Sequence, residues 1–156
     1  MKRTPENEVR ELATQLVERL VQRWPEWSVQ LREQAQRPPV NEEMAFSIDV
    51  PHRSGHTLQV AVRRHCEIEV RYADGQPPGP AEMLFALAHV PTEDGVEDIV
   101  QYVGRIRTGK IVVVRERIPW WARLLRGDAI GSTLRFVDSD TAVRWRHRWR
   151  CVYSWE

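Results

Sequence analysis

The sequence predicts an α+β fold: a mostly antiparallel β-sheet (a meander) with an N-terminal helix and a second helix packed on one face. Three observations lead there. Apolar residues recur at three-to-four spacing over 1–24 and again over 92–108, the mark of helices with one buried stripe. Over 45–90 the period changes to two, the mark of strands with one buried face. Short turn-forming segments separate those runs, which favours hairpins over crossovers. At 156 residues the chain has the size of one domain, so a single domain over 1–156 is expected.

The first helix can be capped by Thr4, with Pro5 at its first position and Pro25 as its stop. Its stripe is Val9, Leu12, Ala13, Leu16, Val17, Leu20, Val21 and Trp24, with Glu8, Arg10, Glu11, Glu18, Arg19 and Arg23 left for the wet side. Residues 25–44 fit either a short helix or an irregular cover, and RPPVNEE has linker composition. Three alternating runs follow: Phe46, Ile48, Val50; then Leu58, Val60, Val62; then Cys66, Ile68, Val70, Tyr72. Met83–Val90 is short and flanked by turns, so it reads as a fourth strand rather than a helix.

Glu93, Asp94, Glu97 and Asp98 crowd the start of the second helix, where the dipole favours anions, and Thr92 can cap it. Its stripe is Val96, Ile99, Val100, Val103 and Ile106, and Gly109 suits the position just past its end. The run 111–117 is apolar enough for a strand buried on both faces. C-terminal strands are expected over 133–155. There Val143, Trp145, His147, Trp149, Cys151, Tyr153 and Trp155 alternate with Arg144, Arg146, Arg148 and Arg150. On a strand that alternation puts the aromatic residues on a core face and the arginines on the other.

Composition excludes several classes of function. Charged residues make up 29% and hydrophobic residues 42%, a globular balance, and the net charge of +1 gives no overall attraction to nucleic acid. The charge is unevenly spread. Residues 1–100 carry 11 basic and 17 acidic groups, and residues 101–156 carry 12 basic and 5 acidic. With two cysteines, no apolar leader, and no apolar run near the roughly 20 residues of a bilayer span, a cytoplasmic protein without a membrane partner is expected.

Chemical motifs fail their context tests. Gly104–Lys110 matches the phosphate-binding G-x-x-x-x-G-K pattern, but Ile111 stands where a hydroxyl must meet magnesium, and a helix precedes the string instead of following it. A helix end turning into a strand accounts for it. His52, His56, His65, His89 and His147 show no paired metal-ligand spacing, although His147 and Cys151 share a strand face on this reading and His65-Cys66 lies on another. No metal or cofactor is expected. Both cysteines fall on core faces, away from a base that could activate them, and Glu67 and Glu69 fall on a solvent face near arginines. No catalytic residues are assigned.

Two stretches remain. In the segment from Ile118 to Gly131, Trp120, Trp121, Leu124 and Leu125 share one face of a short helix, with Arg123 and Arg126 opposite. They either cap the open end of the core or contact a partner, since Trp and Arg dominate interface hot spots. The core-cap role is the simpler one. The arginines of 144–150 face acidic neighbours, water or a partner; exposed aromatics beside them, as single-strand binding requires, are not expected.

The run TEDGVEDIVQYVGRIRTGKIVVV (92–114) and the ending WRCVYSWE resemble, in element order over 45–156, small uncharacterised bacterial α+β domains, some of which resemble immunity proteins of toxin systems. The resemblance implies a non-enzymatic protein that binds another protein. The expectation is therefore a protein-binding module using Arg144, Arg146, Arg148, Arg150, Trp120, Trp121, Arg123 and Arg126. A nucleic-acid-associated protein using 144–150, or an enzyme of unknown class, are the alternatives.

Overall fold

A computed structural model describes residues 5–36, 44–50, 57–63, 68–73, 83–87, 93–126 and 132–153. The chain is α+β. Helix α1 (Pro5–Arg23) is followed by a one-turn 3-10 helix (Pro25–Trp27) and α2 (Ser28–Ala35), then by strands β1 (Met44–Val50), β2 (Thr57–Arg63), β3 (Ile68–Ala73) and β4 (Met83–Leu87). Helix α3 (Glu93–Arg107), β5 (Ile111–Arg117), α4 (Trp120–Arg126), β6 (Ser132–Asp138), α5 (Ser139–Arg144), a 3-10 turn (Arg146–Arg148) and β7 (Trp149–Tyr153) complete the described chain. The cap expected at Thr4, the linker around 37–43, and Cys66 with His52, His56, His65 and His89 lie outside the described residues.

Hydrogen bonding divides the strands into two antiparallel sheets, one in the order β1-β2-β3-β4 and one in the order β6-β5-β7. The first is the expected meander, β4 included. Its inner face is set by cross-strand pairs Leu58↔Tyr72, Val60↔Val70 and Val62↔Ile68, all buried. Onto it close the stripe of α1 and, with it, Trp24, Trp27 and Leu31. The same core takes in Val96, Ile99, Val100, Val103 and Ile106 of α3, and then Ile111, Val113 and Leu134 of the second sheet. Tyr72 links the sheets, lying edge-on to Phe136 (6.5 Å between centroids) and beside Tyr153 (5.9 Å).

The 3-10 turn before α2 and the end of α3 are tied together. The Arg107 guanidinium lies 5.1 Å from the Trp27 ring centroid and 5.7 Å from that of Trp24, and its Nη2 is 2.6 Å from Glu26 Oε1. A bond from its own backbone N–H, then Arg107, hold the Glu26 carboxyl below its ordinary pKa. From α2, the Gln34 amide pairs with both backbone groups of Asp49 on β1, accepting from its N–H (2.5 Å) and donating to its carbonyl (3.1 Å). That contact occupies a stretch of strand edge that would otherwise be open to another chain.

The outer face of the meander corrects one expectation. Glu69 is buried rather than solvated. Its carboxylate sits between Arg63, which reaches it through Nε, and Arg71, whose Nε and Nη2 donate to Oε2 at 3.0 and 2.7 Å. Ala61, its register partner, is also fully buried. A carboxylate taken out of water requires such partners, and two arginines provide them.

Strand β5 is buried on both faces, as its composition predicts: Ile111 and Val113 join the main core, while Val112 and Val114 form a second cluster with Ala142, Val137 and Trp149. Helix α5 supplies Ala142 and covers this second face, so the helices are not confined to one side of the sheets. Gly109 ends α3 with φ of 70°, and its N–H bonds to the Ile106 carbonyl at 3.0 Å. The G-x-x-x-x-G-K string is thus a helix C-terminus, with carbonyls rather than amides gathered there.

Candidate protein-contact surface

The largest correction concerns 139–148. These residues are not strand. Asp138 has extended geometry, and the chain then coils through α5 and a 3-10 turn, closed by Trp145 N–H on the Thr141 carbonyl (3.0 Å) and Arg148 N–H on the Trp145 carbonyl (2.9 Å). The reason is the length of the partner strand. β7 pairs with β5 through Tyr153↔Val113, Val152↔Val114, Cys151↔Arg115 and Trp149↔Glu116, and β5 ends one residue later at Arg117. Upstream of Trp149 a strand would have almost nothing left to pair with.

A register shift between Arg115 and Glu116 breaks the alternation a second time. Tyr153 keeps the expected core side. Trp149 crosses to the opposite face, where it packs on Val112, Val114 and Ala142 and donates its indole N–H to the Ala142 carbonyl at 3.1 Å. His147 sits on the exposed turn and Cys151 on the strand, so they do not share the face expected of them.

The arginines therefore stand in a different setting from the one alternation implies. Arg144 ends α5, Arg146 and Arg148 form the 3-10 turn, and all three are exposed. Arg150 lies on β7 beside the register shift. Among the described residues no carboxylate pairs with Arg144, Arg146 or Arg148. Trp145, expected in the core, is exposed, and the Arg148 guanidinium lies 4.4 Å from its ring centroid. Of the acidic groups around it, Glu116 at this end of β5 accepts from Arg135 at 3.0 Å, while Asp140 stands exposed in the first turn of α5.

Helix α4 is the second part of the surface. Pro119 opens it, its carbonyl accepting from the Ala122 N–H. The steps between Trp120, Trp121, Leu124 and Leu125 place them within one side of the helix, with Ala122, Arg123 and Arg126 on the other. That face does not close the core. Trp120 is 72% exposed, Trp121 55%, Leu124 74% and Leu125 81%, and no other described element packs on α4 extensively.

Strand register brings the two parts together. The C-terminal end of β5 leads through Ile118 and Pro119 into α4, and that end lies beside Trp149, where the 3-10 turn enters β7. Neighbouring strands lie about 5 Å apart, so both segments leave the second sheet side by side. Of the residues singled out from sequence, Trp120, Trp121, Arg123, Arg126, Arg144, Arg146, Arg148 and Arg150 all belong to elements at this end.

Sequence reasoning missed Trp145 and Val143 as surface residues. A signal was available: Asp138 and Ser139 precede Asp140 and an Ala-Val run, a helix-start pattern. Comparison with protein-family models, curated proteins and solved structures found no match for the chain.

Proposed function

We propose that this chain is a non-enzymatic protein-binding module, and that the end of the second sheet formed by α4 and the 144–148 turn is its contact surface. One observation carries this reading: four large apolar side chains, Trp120, Trp121, Leu124 and Leu125, stand exposed together on a seven-residue helix. Contiguous apolar patches of this kind mark interaction sites, and exposed Trp and Arg are the residue types that dominate them. The resemblance of the sequence to immunity-like domains points to the same class. Arg150, Arg123 and Arg126 join the surface by their positions on β7 and α4.

The test compares the full chain with a Trp121→Ser/Leu125→Ser variant, each carrying a benzophenone side chain in place of Val143. The expected result is a discrete protein adduct with the parent chain that disappears in the variant, while both chains melt at the same temperature. Equal adduct yields from the two would refute a contact through α4.

One observation favours nucleic acid as the second reading. Trp145 is exposed beside Arg144, Arg146 and Arg148, which is the adjacency of base-stacking and phosphate-binding groups that a continuous strand would have lacked. Binding of a 20-nucleotide single strand at low salt, weakened in Arg146→Glu/Arg148→Glu, would support it.

A further inference from the structure

We infer that the surface of the partner protein facing this end is acidic around an apolar centre, so that α4 anchors it and Arg144, Arg146 and Arg148 pair with carboxylates. The inference rests on the protein-binding reading above and specifies the chemistry of the partner.

It follows from the juxtaposition that strand register imposes. The apolar face of α4 and the exposed turn arise 20 residues apart in sequence, between Leu125 and Trp145, yet flank the same end of the second sheet. One is apolar and the other cationic. Together they have the layout of a protein interface, an apolar centre beside a polar rim. Among the described residues no carboxylate pairs with the three arginines, and Glu116 at this end is held by Arg135. Planar guanidinium groups donate to carboxylates in a fixed, two-point geometry. Trp145 stacking holds one of them, Arg148, in place.

Other occupants use only half of the surface. A second copy docked about a two-fold axis would bury α4 against its own image, but would bring like-charged turns toward each other. Nucleic acid would neutralise the arginines and leave Leu124 and Leu125 in water, since aliphatic side chains offer no stacking plane. A bilayer needs no fixed guanidinium geometry, and α4, at seven residues and about 10 Å, offers a shorter apolar face than helices that lie in membrane surfaces.

The experiment uses the full chain with a photoreactive benzophenone side chain in place of Leu125 or, separately, of Val143, which is 76% exposed and precedes Arg144. Irradiation in cells is followed by mass spectrometry of the adducts and by affinity measurements on the purified pair. The expected result is one polypeptide captured from both positions, with an Asp/Glu-rich peptide at the Val143 adduct. Its affinity should fall about tenfold or more at high salt, and about tenfold in Arg146→Glu/Arg148→Glu. Arg146→Lys/Arg148→Lys, which keeps the charge, should retain the salt dependence, and circular dichroism of each variant separates lost contact from lost fold.

A captured polypeptide whose affinity ignores both salt and charge reversal would overturn the acidic partner while leaving the protein-binding reading intact. Adducts only with nucleic acid, phospholipid or a second copy would overturn both, as would no adduct from either position.

Discussion

Helices α1 and α4 carry the same kind of apolar stripe and meet opposite fates. In α1, Leu12, Leu16 and Leu20 are essentially inaccessible to solvent; in α4, Leu124 and Leu125 are 74% and 81% exposed. The difference is not in the residues. α1 runs 19 residues, about 28 Å, and lies along the meander and α3, so every turn of its stripe has an apolar surface opposite. α4 leaves β5 just where the second sheet stops, and no layer of the described residues lies opposite it to be covered. A stripe is therefore a requirement for burial and not its cause; burial also needs a facing surface within reach of the chain.

The sharpest test is truncation at matched positions. Leu16→Ala should cost about 3–5 kcal/mol in denaturant unfolding, the range for a fully buried leucine. Leu124→Ala should stay within about 0.5 kcal/mol. A loss above about 2 kcal/mol at Leu124 would mean that α4 covers part of the core, and the contrast would collapse.

The same contrast holds for charge. Glu69→Ala leaves Arg63 and Arg71 facing each other without their shared carboxylate, and should cost about 3 kcal/mol. Glu116→Ala removes an exposed pair with Arg135 and should cost less than about 1 kcal/mol. Equal costs in a urea melt would show that burial of Glu69 is not what sets its energy.

Smaller effects probe how the chain reaches the exposed end. Gly109 has φ of 70° and no heavy atom within 4 Å of where a Cβ would lie, so Gly109→Ala carries backbone strain alone, about 1–2 kcal/mol. Steric cost beyond that figure would point to a crowded helix end. Trp149→Phe keeps an aromatic ring over Val112 and Val114 but loses the indole bond to Ala142, for a change of about 1 kcal/mol in thermal unfolding. No change would mean that the bond does not hold α5 to the sheet.

Much of the fold was legible in the sequence because local periodicity and burial agree there. The stripes of α1 and α3, the apolar inner face of β2 and β3, and the two-sided burial of β5 stand as read. Legibility failed where alternation was perfect but tertiary pairing was absent. Arg144 through Arg148 alternate with Trp145 and His147 as a strand would, yet β5 is too short to pair with them. The candidate surface was half legible for the same reason. Its residue types were visible, while the exposure of Trp145 and the crossing of Trp149 depended on where a neighbouring strand ends and slips register.

What the sequence determined by itself was the set of elements with a repeating pattern: two long helices, a meander, a buried fifth strand, and a glycine ending the second helix at a string that only resembles a phosphate loop. The tertiary structure alone decided which apolar faces found cover. It buried Glu69 between two arginines, left α4 exposed, turned 139–148 into helix, and brought α4 and the arginine turn to the same end of the second sheet. The physical reason is that side-chain periodicity is a property of neighbours along the chain. Pairing, register and cover depend on neighbours across it, and those are settled only when the strands have been laid side by side.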